Sequence, residues 1–373
     1  MRILHTSDWH LGMMAGSRSL EEDQRHFFAQ LYELIEKESI DAVICAGDIY
    51  DSSVANADAI ALYNEVTTTI CGKLKKKMIV IAGNHDGAAR LSVCHELLKD
   101  AGLHVSGRLT RTVEPIELGN AMIYPVPFFN KEEVGALYPE HKKEITSQEQ
   151  AMNFVCDRIR EKMDASKYHI LVSHSLIVNA ELSESDRSAR VGHATAISKD
   201  VFKGFDYVAL GHIHKPQALT ESIRYSGSPI KYSFGAEEKH EKQVILIDTE
   251  TKEIRPIMLE EFRGRKTITG TLDEIMAMDE VVNDYLRLKV TDRYAGLELL
   301  AELRQKFPYL LELYGKSMDE QGDLILMTPE ELQKLDEMDI MKKFFAENFG
   351  YEPTKEQIDL FQEVLELCEK EEQ

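Results

Sequence analysis

Five short stretches of this sequence each end an apolar run on a carboxylate, an imidazole or an amide. Arg2-Ile-Leu-His-Thr-Ser7 runs into Asp8-Trp9-His10, and Asp41-Ala-Val-Ile-Cys-Ala46 runs into Gly47-Asp48. Met78-Ile-Val-Ile-Ala82 ends in Gly83-Asn84-His85-Asp86. Tyr168-His-Ile-Leu-Val172 ends in Ser173-His174, and Tyr207-Val-Ala-Leu210 ends in Gly211-His212-Ile213-His214. If the five ends converge, they gather Asp8, His10, Asp48, Asn84, His85, His174, His212 and His214. Carboxylate, imidazole and amide oxygen suit Mn, Fe or Zn with five or six ligands, and the absence of Cys argues against a structural zinc. Asp8 and His10 stand two apart, as do His212 and His214. In a bent strand end that spacing lets both members of a pair reach one ion or two neighbouring ones. So large a set exceeds what one ion takes. Two ions about 3.5–4 Å apart, sharing one carboxylate, account for it. Asp48, alone on its strand end, is the natural bridge.

The elements that must position these groups are legible in outline. Each apolar run is short and rich in β-branched residues, as strands buried on both faces are. Helical patterns separate the first three. Leu20 to Lys37 opens with acids and sets Phe27, Leu31, Leu34 and Ile35 on one stripe. Ala57 to Leu74 and Ala88 to Ala101 follow, the latter stopped by Gly102. Strands alternating with helices imply a largely parallel sheet, and in such sheets functional groups collect at the carboxyl ends of strands. Asn130 to Ser147 reads as a mobile polar loop, Gln148 to Met163 as a helix, and Val178 to Thr195 as a surface loop near the site. Arg224 to Pro229 and Gln243 to Asp248 read as later strands of a second sheet. Near residue 262 the character changes. A small α+β unit occupies 263–328, and an acidic helical segment fills 329–373. Within that segment Met338, Met341, Phe344 and Phe345 form one apolar stripe, and Ile358, Phe361, Val364, Leu365 and Cys368 another. The expected domains are thus 1–262, 263–328 and 329–373.

Composition narrows the function classes. The chain has 373 residues, 43% apolar and 29% charged, enough for two domains or more. Its five cysteines are odd in number and scattered, so buried reduced thiols are expected rather than disulfides. Met1-Arg2 leads straight into a strand with neither the apolar core nor the cleavage site of a signal peptide, and no apolar run approaches the ~20 residues of a membrane span. A cytoplasmic protein with no membrane partner is expected. The net charge is −21, of which residues 260–373 carry −14, from 28 acidic and 14 basic side chains. Duplex binding rests on cations that neutralise phosphates, so a nucleic-acid role would need local patches, metal ions or a basic partner.

The ordered set Asp8-x-His10, Gly47-Asp48, Gly83-Asn84-His85-Asp86, Ser173-His174 and Gly211-His212-x-His214 resembles the five motifs of the calcineurin-like metallophosphoesterases. The wording of Arg2 to Gly12, Gly47 to Ser53, Ala209 to His214 and Tyr225 to Pro229 is similar to the bacterial SbcD family, the nuclease subunits of SbcCD complexes. The resemblance at motif level covers about residues 1–235. It implies a four-layered α/β/β/α sandwich with a small α+β capping domain and C-terminal helices. It also implies two divalent metal ions, most often Mn2+. One would be held by Asp8, His10, Asp48 and His214, the other by Asp48, Asn84, His174 and His212. His85 would face the substrate and help protonate the leaving oxygen, with Asp86 fixing an imidazole behind it. Implied partners are DNA (double-stranded ends, hairpins and single strands), an SbcC-type coiled-coil ATPase through residues 338–373, and a second copy through helices 57–74 and 88–101. Two departures stand out. The Asp-Arg-Gly of related protein phosphatases is absent after Asp48, and His174 sits in Ser-His-Ser where many relatives have Gly-His. A stand-alone phosphoesterase on small nucleotides would use the same metal site. A scaffold with a vestigial site fits poorly, because the ligand set is complete.

Overall fold

The computed structural model describes residues 1–16, 18–189, 195–278 and 283–316, together with 341–342, 353–355, 357–358 and 360–362. Two six-stranded sheets lie face to face. In the first, β1 (Arg2–Thr6), β2 (Ala42–Cys45), β3 (Lys77–Ile81) and β4 (Leu103–Ser106) run parallel in that order. The second contains β5 (Ile116–Leu118), β6 (Ala121–Val126), β7 (Tyr168–His174), β8 (Tyr207–Gly211), β9 (Gln217–Ala218) and β10 (Ile223–Tyr225), with β6, β7, β8 and β10 parallel. The chain then returns to the first sheet. β11 (Gln243–Asp248) pairs antiparallel with β1, and β12 (Ile254–Met258) closes that edge. The sequence expectation that Gln243 to Asp248 belongs to the second sheet is therefore corrected. Its central residues Val244 to Ile247 are all buried, so either sheet interior would have suited it.

Alternation along each strand builds the layers. Ile3, Ala42, Ile44, Ile79 and Ile81 face Ile123, Ile170, Val172, Tyr207 and Ala209 across the middle. Leu4, Val43, Cys45, Met78 and Val80 point the other way, onto the helices. There α1 (Glu21–Lys37) contributes Phe27, Phe28, Leu31 and Ile35, and α2 (Ala57–Thr67) contributes Leu62 and Val66. The second sheet's outer face packs Tyr124, Val126, Leu171, Val208 and Leu210 against Met152, Val155, Cys156 and Ile159. The result is helix, sheet, sheet, helix. Strands that are apolar on both faces are what this sandwich demands.

Three local expectations change. Ala88 to Ala101 is not one helix but two short pieces, Ala88–Leu91 and His95–Lys99. Ser92 turns its hydroxyl back onto the Ala88 carbonyl and Cys94 takes φ 56°, which ends the first piece. Asn130 to Ser147 is not a loop: α3 (Lys131–Leu137) opens with an Asn130–Glu133 capping box and buries Val134 and Tyr138. The second helix of the first three runs on beyond Thr67 as wider turns over Thr68–Lys73, with Leu74 N–H reaching Thr69 O. Farther on, α4 (Gln148–Arg160) is capped by Ser147, and α5 (Glu184–Ala189) occupies part of the stretch read as a surface loop.

Beyond residue 262, β13 (Arg265–Gly270), β14 (Tyr285–Val290) and β15 (Leu310–Tyr314) form a parallel three-stranded sheet. The helices α6 (Leu272–Met276) and α7 (Leu297–Lys306) cover one face around Leu286, Leu288 and Phe307. The other face meets the sandwich through Tyr285, which shares a cluster with Ala15, Leu20, Tyr232 and Phe234. Residues 317–373 form a separate unit. Met338, Phe344, Phe345, Val364, Leu365 and Cys368, expected in apolar stripes, lie outside the described residues. Among the described residues no helix is long and apolar enough to cross a membrane.

Candidate metal centre

Strand register brings the five polar ends together. Thr6, Cys45 and Val80 stand side by side at the carboxyl ends of β1, β2 and β3. His174 and Gly211 are partners at the ends of β7 and β8. The turns that follow are strained: Asp8, His10, Asp48 and His212 take φ of 53°, 42°, 50° and 103°. A side chain in that region costs on the order of 1–3 kcal/mol, persists only where surrounding contacts enforce it, and is common at functional sites. Close approach also needs bare backbone. A Cβ on Gly47 would stand 2.4 Å from His174 Nδ1, and one on Gly83 would stand 2.1 Å from Asp48 Oδ1.

Among the described residues three donor groups result, and two of them use the strand-end residues alone. Asp8, His10 and His214 offer ligand atoms within 4.8 Å of one another, and so do Asp48, His174 and His212. In the first, His10 Nε2 and His214 Nε2 face each other at 3.1 Å. In the second, Asn84 Oδ1 lies 3.0 Å from both His174 Nε2 and His212 Nδ1, and Asp48 Oδ2 lies 3.2 Å from His174 Nε2. That same Asp48 oxygen is 3.7 Å from His10 Nε2, so it stands between the clusters. All seven side chains sequence reasoning assigned to metals are here, and six are nearly fully buried, with Asn84 half-buried.

Electrostatics tests whether cations fit. Asp8 and Asp48 are buried together, and among the described residues Asp48 forms ion pairs with histidines alone. Burial pushes the Asp8 carboxyl up. Burial would do the same to Asp48, but the imidazoles of His174, His10 and His85 outweigh it and hold the carboxyl well below its usual range. Burial works against the charged form of His174 as well, yet Asp48 carries it up to about 9. His212 is pushed down to about 3 by burial and by neighbouring His174. Carboxylates and imidazole lone pairs thus compete for protons in a dry pocket. Divalent cations at the two clusters would replace those protons, and the oxygen and nitrogen donors present are the right ones for them.

His85 belongs to the third group, with His10 and Asp51; it is half-buried, its ring centroid 4.9 Å from that of His10. Its Nδ1–H donates to the Asp51 carbonyl at 2.8 Å. Asp86 does not aim this imidazole, contrary to the sequence expectation. Its carboxylate accepts from the backbone N–H groups of Ile49, Tyr50 and Gly83 at 2.8–3.1 Å, which staples the β2 and β3 loops together. Three convergent backbone donors are a stronger claim on a buried carboxylate than one neighbouring side chain. Burial raises Asp86 to about 6 despite them.

Sequence reasoning missed the groups behind the ligands. Asp51 Oδ1 lies 3.5 Å from His10 Nδ1. Tyr232 donates its hydroxyl to the Asp8 and Trp9 carbonyls, and its ring meets those of His10 and His214 edge-on. Asp186 accepts from His214 N at 2.9 Å, and Ser185 Oγ sits 2.7 Å from His214 Nδ1. Only Asp51, three residues after Asp48, carried any signal; the rest depend on chain segments that meet through folding.

A sandwich of this build, with paired donor clusters at the strand ends, is a phosphoesterase architecture. Residues 1–216 match the calcineurin-like phosphoesterase family, to which the chain belongs. Residues 262–349 match the type 5 capsule protein repressor C-terminal domain. Over 98% of its length the chain is 30% identical to the SbcD subunit of the SbcCD nuclease from Staphylococcus epidermidis, covering 98% of that protein. It is equally similar, at 30% over 98% of each chain, to the corresponding protein from Staphylococcus saprophyticus. Within its class it is an SbcD-type nuclease.

Proposed function

We propose that this chain is the nuclease subunit of an SbcCD-type complex, cleaving DNA phosphodiesters at double-stranded ends, hairpins and single strands in repair, recombination and replication. The observation that carries the proposal is the pair of donor clusters joined by one Asp48 oxygen, 3.2 Å from His174 and 3.7 Å from His10. Asp8, His10, Asp48 and His214 would hold one ion, and Asp48, Asn84, His174 and His212 a second, with Mn2+ the favoured metal. Ions held there stabilise charge on the phosphoryl oxygens and supply the nucleophile at neutral pH.

The chain's own contribution is orientation and a proton. Asn84 gives a neutral ligand and so limits the negative charge that would repel a phosphodiester. His85, its Nδ1–H committed to Asp51 O, has Nε2 left to exchange a proton with the leaving oxygen. Asp86 keeps the His85 loop against Asp48, whose Oδ1 accepts from His85 N at 2.9 Å.

The organisation follows the same reading. Residues 1–262 form the nuclease domain, 263–328 the capping domain, and 329–373 the segment whose residues 338–373 bind a coiled-coil ATPase. A second copy docks through 57–74 and 88–101, where Ile60, Val93 and Leu97 are 51%, 63% and 76% exposed. A cytoplasmic location suits such an assembly. The −21 charge means that DNA affinity comes from the partner or the dimer. The same charge favours a second reading, hydrolysis of small nucleotides by the chain alone.

His85→Gln tests the assignment. Manganese content should match wild type while cleavage of a hairpin oligonucleotide falls by about two to four orders of magnitude, the range a general acid contributes. Loss of metal from the variant would refute the role given to His85. Faster hydrolysis of a cyclic nucleotide than of the hairpin by the ATPase-bound protein would favour the second reading.

A further inference from the structure

A strap of chain between residues 231 and 242 touches both the capping sheet and the first donor cluster. Its centre is a fully buried ion pair, Glu237 Oε1 to Lys242 Nζ at 2.6 Å, both side chains without exposure. Burying two charges is costly unless their remaining valences are filled. Here they are filled. The ammonium also donates to Ser228 Oγ and to the backbone carbonyl of His214, at 2.8 and 3.0 Å. The other carboxylate oxygen accepts from Tyr232 N, Ser233 N and Ser233 Oγ at 3.1, 2.6 and 2.7 Å.

That oxygen has one more neighbour, Ser185 Oγ at 3.2 Å, and Ser185 Oγ is 2.7 Å from His214 Nδ1. Ser185 Oγ also lies 2.9 Å from Ser183 Oγ, whose own hydroxyl is committed to Asp186, and 3.4 Å from Ser233 Oγ. With the Ser185 hydroxyl turned to the Glu237 carboxylate, His214 Nδ1–H donates to Ser185. That arrangement sets the tautomer of His214 and leaves the lone pair on Nε2, the nitrogen facing His10, available to a metal.

The capping sheet grips the same strap. Glu238 accepts from Thr267 N at 2.9 Å and from Thr267 Oγ1 at 2.5 Å. Arg265 Nε donates to Lys231 O at 2.9 Å. The Arg265 and Arg287 guanidinium groups lie 5.2 and 4.6 Å from the Phe234 ring centroid. Arg287 also lies 3.6 Å from Glu184, next to Ser185.

We infer that Glu237 is a positioning residue that holds His214 through Ser185, and that the capping sheet sets the ligand geometry of the Asp8–His10–His214 cluster by clamping the strap around it. This rests on the two-ion reading above. It predicts that the two ions depend on different parts of the chain: the one at His214 on the strap and the capping sheet, the one at His174 on neither.

The experiment is Mn2+ titration of the full chain by calorimetry, with His214→Ala as the reference for the first event and thermal melting of the metal-free chain as the control for folding. Wild type should bind two ions. Ser185→Ala should weaken the event that His214→Ala abolishes by about 10- to 100-fold, the usual consequence of removing a group behind a ligand, and leave the other in place. Ser185→Thr, which keeps the hydroxyl, should restore it. Thr267→Val, at the far end of the strap, should weaken the same event several-fold. Glu237→Gln should do so more severely, but it strands the Lys242 charge, so Ser185→Ala decides the matter if that variant fails to fold. Two unchanged events in Ser185→Ala, or equal weakening of both, would overturn the inference. A wild-type chain that binds a single ion would instead defeat the two-ion reading, and the inference with it.

Discussion

The two strand-end donor clusters of the candidate metal centre are built differently. On the His174 side the supports belong to the sandwich itself: His174 Nδ1–H donates to the Ala46 carbonyl at 2.9 Å, at the end of a central strand. The Gly47 backbone presses on the same ring, closely enough to exclude a Cβ. On the His214 side the supports come from later chain: Ser185 and Asp186 on α5, then Tyr232 and Glu237 on the strap, held in turn by Thr267, Arg265 and Arg287 of the capping sheet. One set of supports is part of the sheet itself; the other runs through the strap to the capping sheet. Asp48 is the point the two clusters share, and the contrast can be tested by striking that point, then each half separately.

The largest effect should follow Asp48→Asn. The amide keeps the size of the carboxylate and removes the charge that the imidazoles of His174 and His10 surround. Both Mn2+ binding events should be lost or weakened beyond about 100-fold, the upper range for a group this near a metal. Cleavage should vanish with them. Retention of one tight event would show that Asp48 serves a single ion and that the halves are independent even at their junction.

Gly47→Ala strikes the His174 half first, although the Gly47 carbonyl also accepts from Asp8 N at 3.0 Å. Its Cβ would meet the imidazole at 2.4 Å, on a backbone with φ +93°. Left-handed alanine costs about 1 kcal/mol and the overlap about 1–3 more, so a fall in melting temperature is expected as well as loss of the event that His174→Ala removes. Combined with Ser185→Ala it should impair both events. Combined with His174→Ala it should add little to metal loss, because neighbours acting on one group are not additive. If Gly47→Ala instead weakens the event assigned to His214, the division between halves fails.

The sequence made the candidate ligands of both halves legible and concealed the supports of one. The polar ends of β1, β2, β3, β7 and β8 can be read directly, because a buried parallel strand is a short apolar run and whatever ends it lies at the sheet's carboxyl edge. The capping sheet was also readable from alternating patterns over 265–314. What could not be read was support arriving from far along the chain. Ser185 stands in a polar stretch resembling any surface loop, and Glu237 in a run of charges resembling any solvated turn; each acquires meaning only when folding brings it to His214. Asp86 shows the converse error. Adjacency to His85 suggested a side-chain partner, but the turn points its carboxylate at three backbone N–H groups. The left-handed backbone of Asp8, His10, Asp48 and His212 likewise had no sequence signal, since none is glycine.

The smallest expected effect concerns both halves at once. His5, on β1, is fully buried, with Nδ1 2.9 Å from the Tyr207 hydroxyl and Nε2 3.2 Å from the Leu210 carbonyl, so it bolts β1 to β8. β1 feeds Asp8 and His10; β8 feeds His212 and His214. With both nitrogens occupied it is not offered to a metal, unlike the imidazoles of the candidate clusters above it. Burial lowers its pKa from 6.5 to about 3, against the modest help of the Leu210 carbonyl. Between those values the unfolded chain binds a proton that the folded chain does not, so stability rises with pH across the window and is lost as pH falls below about 6.5. At pH 5 the loss from this one side chain is about 2 kcal/mol, taking 1.36 kcal/mol per pH unit. Urea melts of the metal-free chain at pH 7 and pH 5 should show it, and His5→Phe should reduce the difference by that amount, the remainder belonging to groups such as His212, which burial also lowers to about 3. Because His5 ties the roots of both halves, mild acid should loosen the two clusters together, whereas Ser185→Ala loosens one. A pH dependence unchanged in His5→Phe would assign the acid sensitivity to other groups and leave the bolt between β1 and β8 purely steric.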